Sequence, residues 1–365
     1  GDLGRGIHRD GKKIGQSPLR IFNIGDNPKI GYQAARFLAE GFIISNVEKI
    51  IMSNIGAGPA MASVVARALR VATLSWRYCD ISRNLLTRVG MNEICWSMRQ
   101  NRTIRVLKFG DNDVGLRFCT AEDQLGVHGL SLPRVIRENV TLRELDLSHL
   151  GLCSEAAIHL FDAIANNYTI RKFSVRSNFI DDEASFSLSE MLRSNDIIDD
   201  LDIGDNHFSY NTCFVLAECL EFNRSLNTLR ADKNRLGSAG TATVEAFCSS
   251  LNMNCRLRVL ILDSNRLGPE WGMLLADTMC RNNTLIRVSM LDNRLDIKAG
   301  GALLRAYTHN TVLLELALSG DEIGSILFAQ FQELQRKKRS VLRVEDIAKE
   351  TMVEHELSQM LFDYY

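Results

Sequence analysis

The stretch Leu285-Ile286-Arg287-Val288-Ser289-Met290-Leu291-Asp292-Asn293-Arg294-Leu295 holds apolar residues at its first, fourth, sixth and eleventh places and an asparagine at its ninth. That skeleton, L-x-x-L-x-L-x-x-N-x-L, recurs along the chain. Instances begin at Leu19, Val47, Trp76, Ile104, Leu142, Ile170, Ile198, Leu226, Leu257, Leu285 and Leu313, and most successive starts lie 28 residues apart. A fixed period of this length is the signature of a repeat array, which grows by adding units instead of closing a single core. Asparagine fills the ninth place at Asn27, Asn84, Asn112, Asn178, Asn206, Asn234, Asn265 and Asn293, and is replaced by Ile55, Leu150 and Asp321.

Each part of the unit has a physical reason. The alternating apolar residues at the fourth and sixth places give a short strand with one buried face. The asparagine amide can turn inward to bond backbone groups that would otherwise lack partners, so successive asparagines should build a ladder. Beyond the strand, Ala157, Leu160, Phe161 and Ile164, or Gly272, Leu275, Ala276 and Met279, recur at spacings of three and four, which is the buried stripe of a helix. Many helices then close on asparagine before the next strand, as in Asn139-Val140-Thr141-Leu142, Asn167-Tyr168-Thr169-Ile170 and Asn223-Arg224-Ser225-Leu226. Asparagine tolerates the left-handed conformation of a helix C-terminus, and that is the expected reason for its presence there.

These residues resemble the leucine-rich repeats of the ribonuclease-inhibitor type, the long variety with a full helix in each unit. The resemblance spans about residues 17 to 337. It implies an α/β solenoid, a horseshoe of about eleven repeats, with parallel strands on the concave face and helices on the convex face. At ~4.8 Å between strands, eleven of them would line a surface about 50 Å long. Residues 1–16 read as an N-terminal extension and 338–365, with Val344, Ile347, Met352, Leu357, Leu361 and Phe362 among charges, as a C-terminal helical cap or tail. The step from Ile104 to Leu142 exceeds the period, placing an insertion near 115–138. Insertions into repeats become loops, often ones used for binding.

Composition limits the functions open to such an array. Lys plus Arg (43) nearly cancels Asp plus Glu (44), so no global field draws in nucleic acid or an anionic membrane. No apolar run approaches the roughly 18 residues of a membrane span, and the stretch around Arg5, His8, Arg9, Lys12 and Lys13 lacks the apolar region of a secretory signal. The nine cysteines show no paired spacing, which fits a reducing compartment. The expectation is therefore a cytoplasmic protein, with a cytoskeletal or ciliary place as the variant. The seven histidines share no ligand spacing, so no metal is expected; no phosphate-binding loop is present, and Gly56-Ala57-Gly58 and Gly300-Gly301 fail the G-x-G-x-x-G spacing, so no cofactor is expected. Asn101, Asn139, Asn167, Asn223 and Asn282 form N-x-[ST] triplets at one phase of the repeat, which marks them as helix-ending residues instead of glycosylation acceptors.

The informative places are the variable ones around the strand, which alternation sends away from the core. They hold a basic run of Arg77, Tyr78, Arg105, Lys108, Arg143, Arg171, Lys172 and Arg176, then an acidic strand with Asp199, Asp200 and Asp202, then Arg230, and finally the apolar Ile261, Leu291 and Leu314. Neighbouring strands would let the charges pair with one another, whereas an exposed apolar strip would call for a cover. With no catalytic constellation in view, the leading expectation is a non-catalytic scaffold binding partner proteins on the concave face. Two other expectations come from resemblance alone. The repeats are similar to those of tropomodulin and of leucine-rich components of axonemal linker complexes, which implies a structural part of a cytoskeletal or ciliary assembly. They are also similar to those of a leucine-rich-repeat activator of a nuclear-transport GTPase, but residues Arg336, Lys337, Lys338 and Arg339 stand where that family carries acid.

Overall fold

The structure is a computed structural model and describes residues 19–43, 46–71, 75–112, 114–115, 119 and 131–341. The expected N-terminal extension, nearly all of 113–130 and the segment from 342 onward lie outside the described residues. Each unit gives one three-residue strand: β1 Ile21–Asn23, β2 Lys49–Ile51, β3 Tyr78–Asp80, β4 Val106–Lys108, β5 Glu144–Asp146, β6 Lys172–Ser174, β7 Asp200–Asp202, β8 Thr228–Arg230, β9 Val259–Ile261, β10 Arg287–Ser289 and β11 Glu315–Ala317. They form one parallel sheet in sequence order. Pairing follows the period, as in Lys172↔Asp200 and Arg287↔Glu315, and passes unbroken over the long step at Val106↔Glu144. The fold is thus the leucine-rich-repeat horseshoe that the skeleton implied.

Helices run between the strands: α1 Gly31–Ile43, α2 Met61–Leu69, α3 Arg88–Met98, α4 Ser131–Glu138, α5 Ser154–Ala165, α6 Ser185–Ser194, α7 Tyr210–Leu220, α8 Thr241–Met253, α9 Gly268–Arg281 and α10 Ile297–His309. The residues 131–138 assigned to the insertion are the helix of unit 4, so the extra length lies before it. The core fills the space between sheet and helices, with the central strand residues Ile50, Cys79, Leu107, Leu145, Leu201, Leu229, Leu260 and Val288 buried against the helical stripe. Small residues let the layers close. Gly56 has φ +67° and a Cβ there would lie 2.1 Å from the Pro28 carbonyl oxygen, while a Cβ on Gly300 would meet Ile323 at 2.7 Å.

Two asparagine ladders hold the units in register. In the first, Asn206 donates from Nδ2 to the carbonyls of Val175, Ile203 and Gly204 at 3.0 to 3.2 Å, and its Oδ1 accepts from the N–H groups of Asn178 and Ile180. The residue before each rung takes the left-handed conformation, as at Asp26, Arg83, Asp111, Ser177, Asp205, Lys233 and Asp292. The second ladder is formed by the helix-closing asparagines, and it corrects the reason given for them. Asn195, Asn254, Asn282 and Asn310 have φ between −93° and −70° with extended ψ, so they are not left-handed caps. They are selected for their amides. Asn223 donates to the Leu192 carbonyl at 2.8 Å and accepts from the Ser225 and Leu226 N–H groups, joining an orphaned helix end to the start of the next strand. Asn101, Asn139, Asn167, Asn195, Asn254, Asn282 and Asn310 are buried in the same role, so that with Asn223 all five triplet asparagines named above serve it.

The last strand is followed by α11 Gly320–Ile323 and α12 Ser325–Val341. Phe331 of α12 is buried and stacks on Tyr307 at 6.1 Å between ring centroids. The Lys338 ammonium donates to the carbonyls of Asn310 and Leu313 and sits 4.1 Å from the Tyr307 ring centre. Asn282 presents its carbonyl to Asn310 in the same way, so Lys338 takes the acceptor that a further asparagine rung would use.

Candidate functional site

The third and fifth places of each unit lie at the two ends of the strand, flanking its buried middle residue. Tyr78, Lys108, Lys172, Asp200, Asp202, Arg230 and Ile261 therefore stand side by side on the inner face of the sheet. The second place precedes the strand. Arg77, Arg105, Arg143, Arg171, Asp199 and Leu314 line the edge where strands begin, as shown by Arg143, whose guanidinium donates to the Thr169 carbonyl at the end of the next helix loop at 3.3 Å. Arg176 and Leu291, at the seventh place, lie at the opposite edge.

The charges of the central units satisfy one another. Arg176 reaches across two units to hold Asp232 with both amino groups, at 2.6 and 2.9 Å, and touches Asp202 at 3.4 Å. Hydrogen bonding to Asp232 raises its already high pKa further, against the effect of burial. Arg230 pairs with Asp200, Arg171 lies 3.8 Å from Asp199, and Lys108 lies 3.2 Å from Glu144 while also approaching the Tyr78 ring. Burial pushes the Asp199 and Asp202 carboxyls up despite these partners. Lys172 is exposed and makes no ion pair among the described residues. These groups bound a hollow of about 250 Å³ over strands β5 to β8, floored by Leu145, Phe173 and Ser174 and rimmed by Glu144, Lys172, Arg176, Asp202 and Arg230.

The last units differ from the expected apolar strip. Ile261, Leu291 and Leu314 are half-buried, and polar residues interrupt them. Ser289 fills the place between Ile261 and Ala317 and donates to Asp263 at 2.6 Å, while Arg287 and Glu315 pair at 3.6 Å on the neighbouring row. Asp263 also accepts the Leu291 N–H, and burial lifts its pKa. Reading the third and fifth places of every unit would have found Lys49, Asp80, Ser174, Arg287 and Glu315, which a selection by charge runs passed over.

Among the described residues, no group of three His, Cys, Asp or Glu is placed to hold a metal ion, and no helix is long and apolar enough to cross a membrane. The carboxylates of Asp199, Asp200, Asp202 and Asp205 are each taken up by Arg171, Arg230, Arg176 or Ser177.

No family model matches the sequence, and no curated protein does. Solved structures do. The chain is similar to one in the yeast Rad7 and Elc1 complex, with a TM-score of 0.54 at 15% identity over 86% of this chain and 73% of that one. It also matches the leucine-rich-repeat ectodomain of the receptor kinase GASSHO1/SCHENGEN3 from Arabidopsis thaliana, at TM-score 0.47 and 14% identity over 79% of this chain and 31% of that one. Actin-binding site 2 of leiomodin-1 matches at TM-score 0.35 and 14% identity over 53% of this chain and 95% of that one. At these identities the likeness is one of fold, and it joins the eleven-stranded parallel sheet in defining an α/β leucine-rich-repeat horseshoe.

Proposed function

We propose that this chain, a repeat array of the long ribonuclease-inhibitor type, is a non-catalytic scaffold that binds partner proteins through the concave face of strands β3 to β10. The hollow over β5 to β8 carries the reading. Its arginines and aspartates are fixed by mutual pairing, so they present a pre-ordered pattern that costs little to organise on binding. Lys172 and Tyr78 stand beside that pattern as contacts for the partner. The half-buried Ile261 and Leu291 add apolar area towards the end of the array.

The test is a double variant, Lys172→Glu with Ser174→Arg, which reverses an exposed charge and fills the hollow without touching the core. Partners recovered with the intact chain from its native cells, identified by mass spectrometry, should be lost with the variant while its thermal unfolding stays unchanged. Recovery of the same partners with both proteins would remove the concave face from the function.

A further inference from the structure

The tenth place of each unit, just after the strand-side asparagine, stands on the edge where the strands end. In units 6 to 10 it holds Phe179, His207, Arg235, Arg266 and Arg294. Backbone bonds join the units here: the His207 N–H donates to the Ile180 carbonyl at 2.7 Å and the Arg235 N–H to the Phe208 carbonyl at 2.8 Å. The three arginines are exposed and make no ion pair among the described residues. The carboxylates around them are engaged elsewhere. Asp232 is held by Arg176, Asp263 by Ser289, Glu270 by Thr241, Asp292 by Ser319, Asp296 by the Ala299 N–H that it caps, and Glu322 by the Arg294 N–H. Like charges on adjacent units repel, so the row is destabilising until a ligand neutralises it.

The backbone adds a second observation. Arg266 and Arg294 have φ of +57° and +60°, a left-handed conformation that strains a residue with a Cβ. The same place in unit 5 is Gly151, with φ +71°, so the turn itself accepts glycine. Two arginines stand where glycine would sit without strain, and such strain collects at functional sites. The other end of the row is apolar: Phe179 is 57% exposed, and its ring lies 6.2 Å from that of His207. We propose that this edge binds an extended acidic segment of a partner protein, with carboxylates on Arg235, Arg266 and Arg294 and an apolar side chain on Phe179 and His207. At ~4.8 Å per unit, the five places span about 20 Å, the length of roughly six extended residues. A nucleic acid, charged at every step, would set phosphates against Asp205 and Asp292 of the adjoining eighth-place row, whereas a peptide can confine its charges to the arginines. The site is separate from the concave face, so either can fail without the other.

Fluorescence anisotropy of a dye-labelled peptide, six glutamates with a phenylalanine at each end, tests it on the full chain. The expected result is saturable binding that weakens about tenfold or more from low to high salt, with none for the matching lysine peptide. Arg266→Gly with Arg294→Gly should weaken binding about tenfold or more while the melting temperature stays level or rises, since glycine takes the left-handed turn without strain. Phe179→Ser should weaken it by a smaller factor, about threefold. Failure of the glutamate peptide to bind, or binding that the double glycine variant leaves unchanged, overturns the proposal. A fall in melting temperature on that double substitution does so too, because the arginines would then belong to the fold. So does tighter binding of a six-nucleotide single-stranded RNA that is lost in the same variant, which would make the edge a phosphate site.

Discussion

From unit 3 to unit 10 the two asparagine ladders run through the same units, yet the strand-side one is broken, at Leu150, and the helix-closing one is not; before Val47 and Trp76 the helix-closing place holds Ile44 and Thr73. On the strand side, Ile55, Leu150 and Asp321 stand where asparagine is expected. On the helix-closing side, Asn101, Asn139, Asn167, Asn195, Asn223, Asn254, Asn282 and Asn310 follow one another without a gap. The difference is one of alternatives. Where Leu150 fills the strand-side rung, the Val114 N–H of the preceding unit turns back to the Asn112 carbonyl at 3.1 Å, so a local turn absorbs the loss. At the helix end the carbonyls have run out of helix and the next N–H groups have not yet entered the sheet; the asparagine amide bridges both sets.

Breaking that comparison gives the largest expected effect. Asn223→Leu orphans the Leu192 carbonyl and the Ser225 and Leu226 N–H groups, and should cost about 4 kcal/mol, since each buried group left unpaired costs ~1–3 kcal/mol. Asn206→Leu, the change already present at Leu150, should cost about half as much. Urea unfolding of the two variants measures the gap, and equal losses would deny the ladders their difference.

The fold was legible in the sequence because the period is physical: every 28 residues the same backbone groups need the same partners, and the apolar skeleton cannot vary without opening the core. The left-handed residue was misplaced because asparagine suits both a left-handed cap and an amide bridge, and the phase of the repeat does not distinguish them. Lys338 hid for a related reason. A lysine beside Arg336, Lys337 and Arg339 reads as surface charge until the carbonyls of Asn310 and Leu313 are seen to lack a further unit. The inner face was half legible. Charge runs located Asp200, Arg230 and Arg176, but strand alternation, applied at every unit, was needed to find Ser289 and the Arg287–Glu315 pair inside the supposed apolar strip.

The central and terminal parts of the inner face invite a second contrast. Arg176→Met leaves Asp232 and Asp202 facing each other in a half-buried site and should cost about 2–3 kcal/mol. Arg287→Met removes a looser and more exposed pair and should cost less than about 0.5 kcal/mol. Chemical unfolding of both proteins at neutral pH checks the ranking.

Acid sharpens the contrast between that face and the loop edge. Burial acts to raise the Asp182 pKa, but donors from Ser209 and Thr212 hold it below the ordinary carboxylate value. Its contribution is therefore complete above the unfolded pKa and is lost as pH falls through the folded one. Asp182→Asn should cost about 1 kcal/mol at neutral pH, as for loss of a helix cap, and progressively less in acid. Asp202 and Asp263 have raised values, so their protonation favours the folded state as pH falls from neutrality. Asp202→Asn should accordingly make the melting temperature less responsive to pH between neutrality and the unfolded carboxylate pKa, the opposite sense to Asp182→Asn.

The smallest effect costs no stability and tests inward against outward places directly. Cys79, Cys213 and Cys248 are buried, and burial pushes their thiols up, to about 12 for Cys213 and about 11 for Cys248. The thiolate is the reacting species, so these groups are doubly protected, by access and by protonation. Cys255 and Cys280 are exposed, one in the loop after α8 and the other near the end of α9. A thiol reagent at neutral pH, with modified peptides identified by mass spectrometry, should mark Cys255 and Cys280 first and reach Cys79, Cys213 and Cys248 only on unfolding. Equal labelling of Cys213 and Cys280 in the native protein would mean that the layer between α7 and α8 opens readily, and that the continuity of the helix-closing ladder through Asn223 and Asn254 does not hold those two units together.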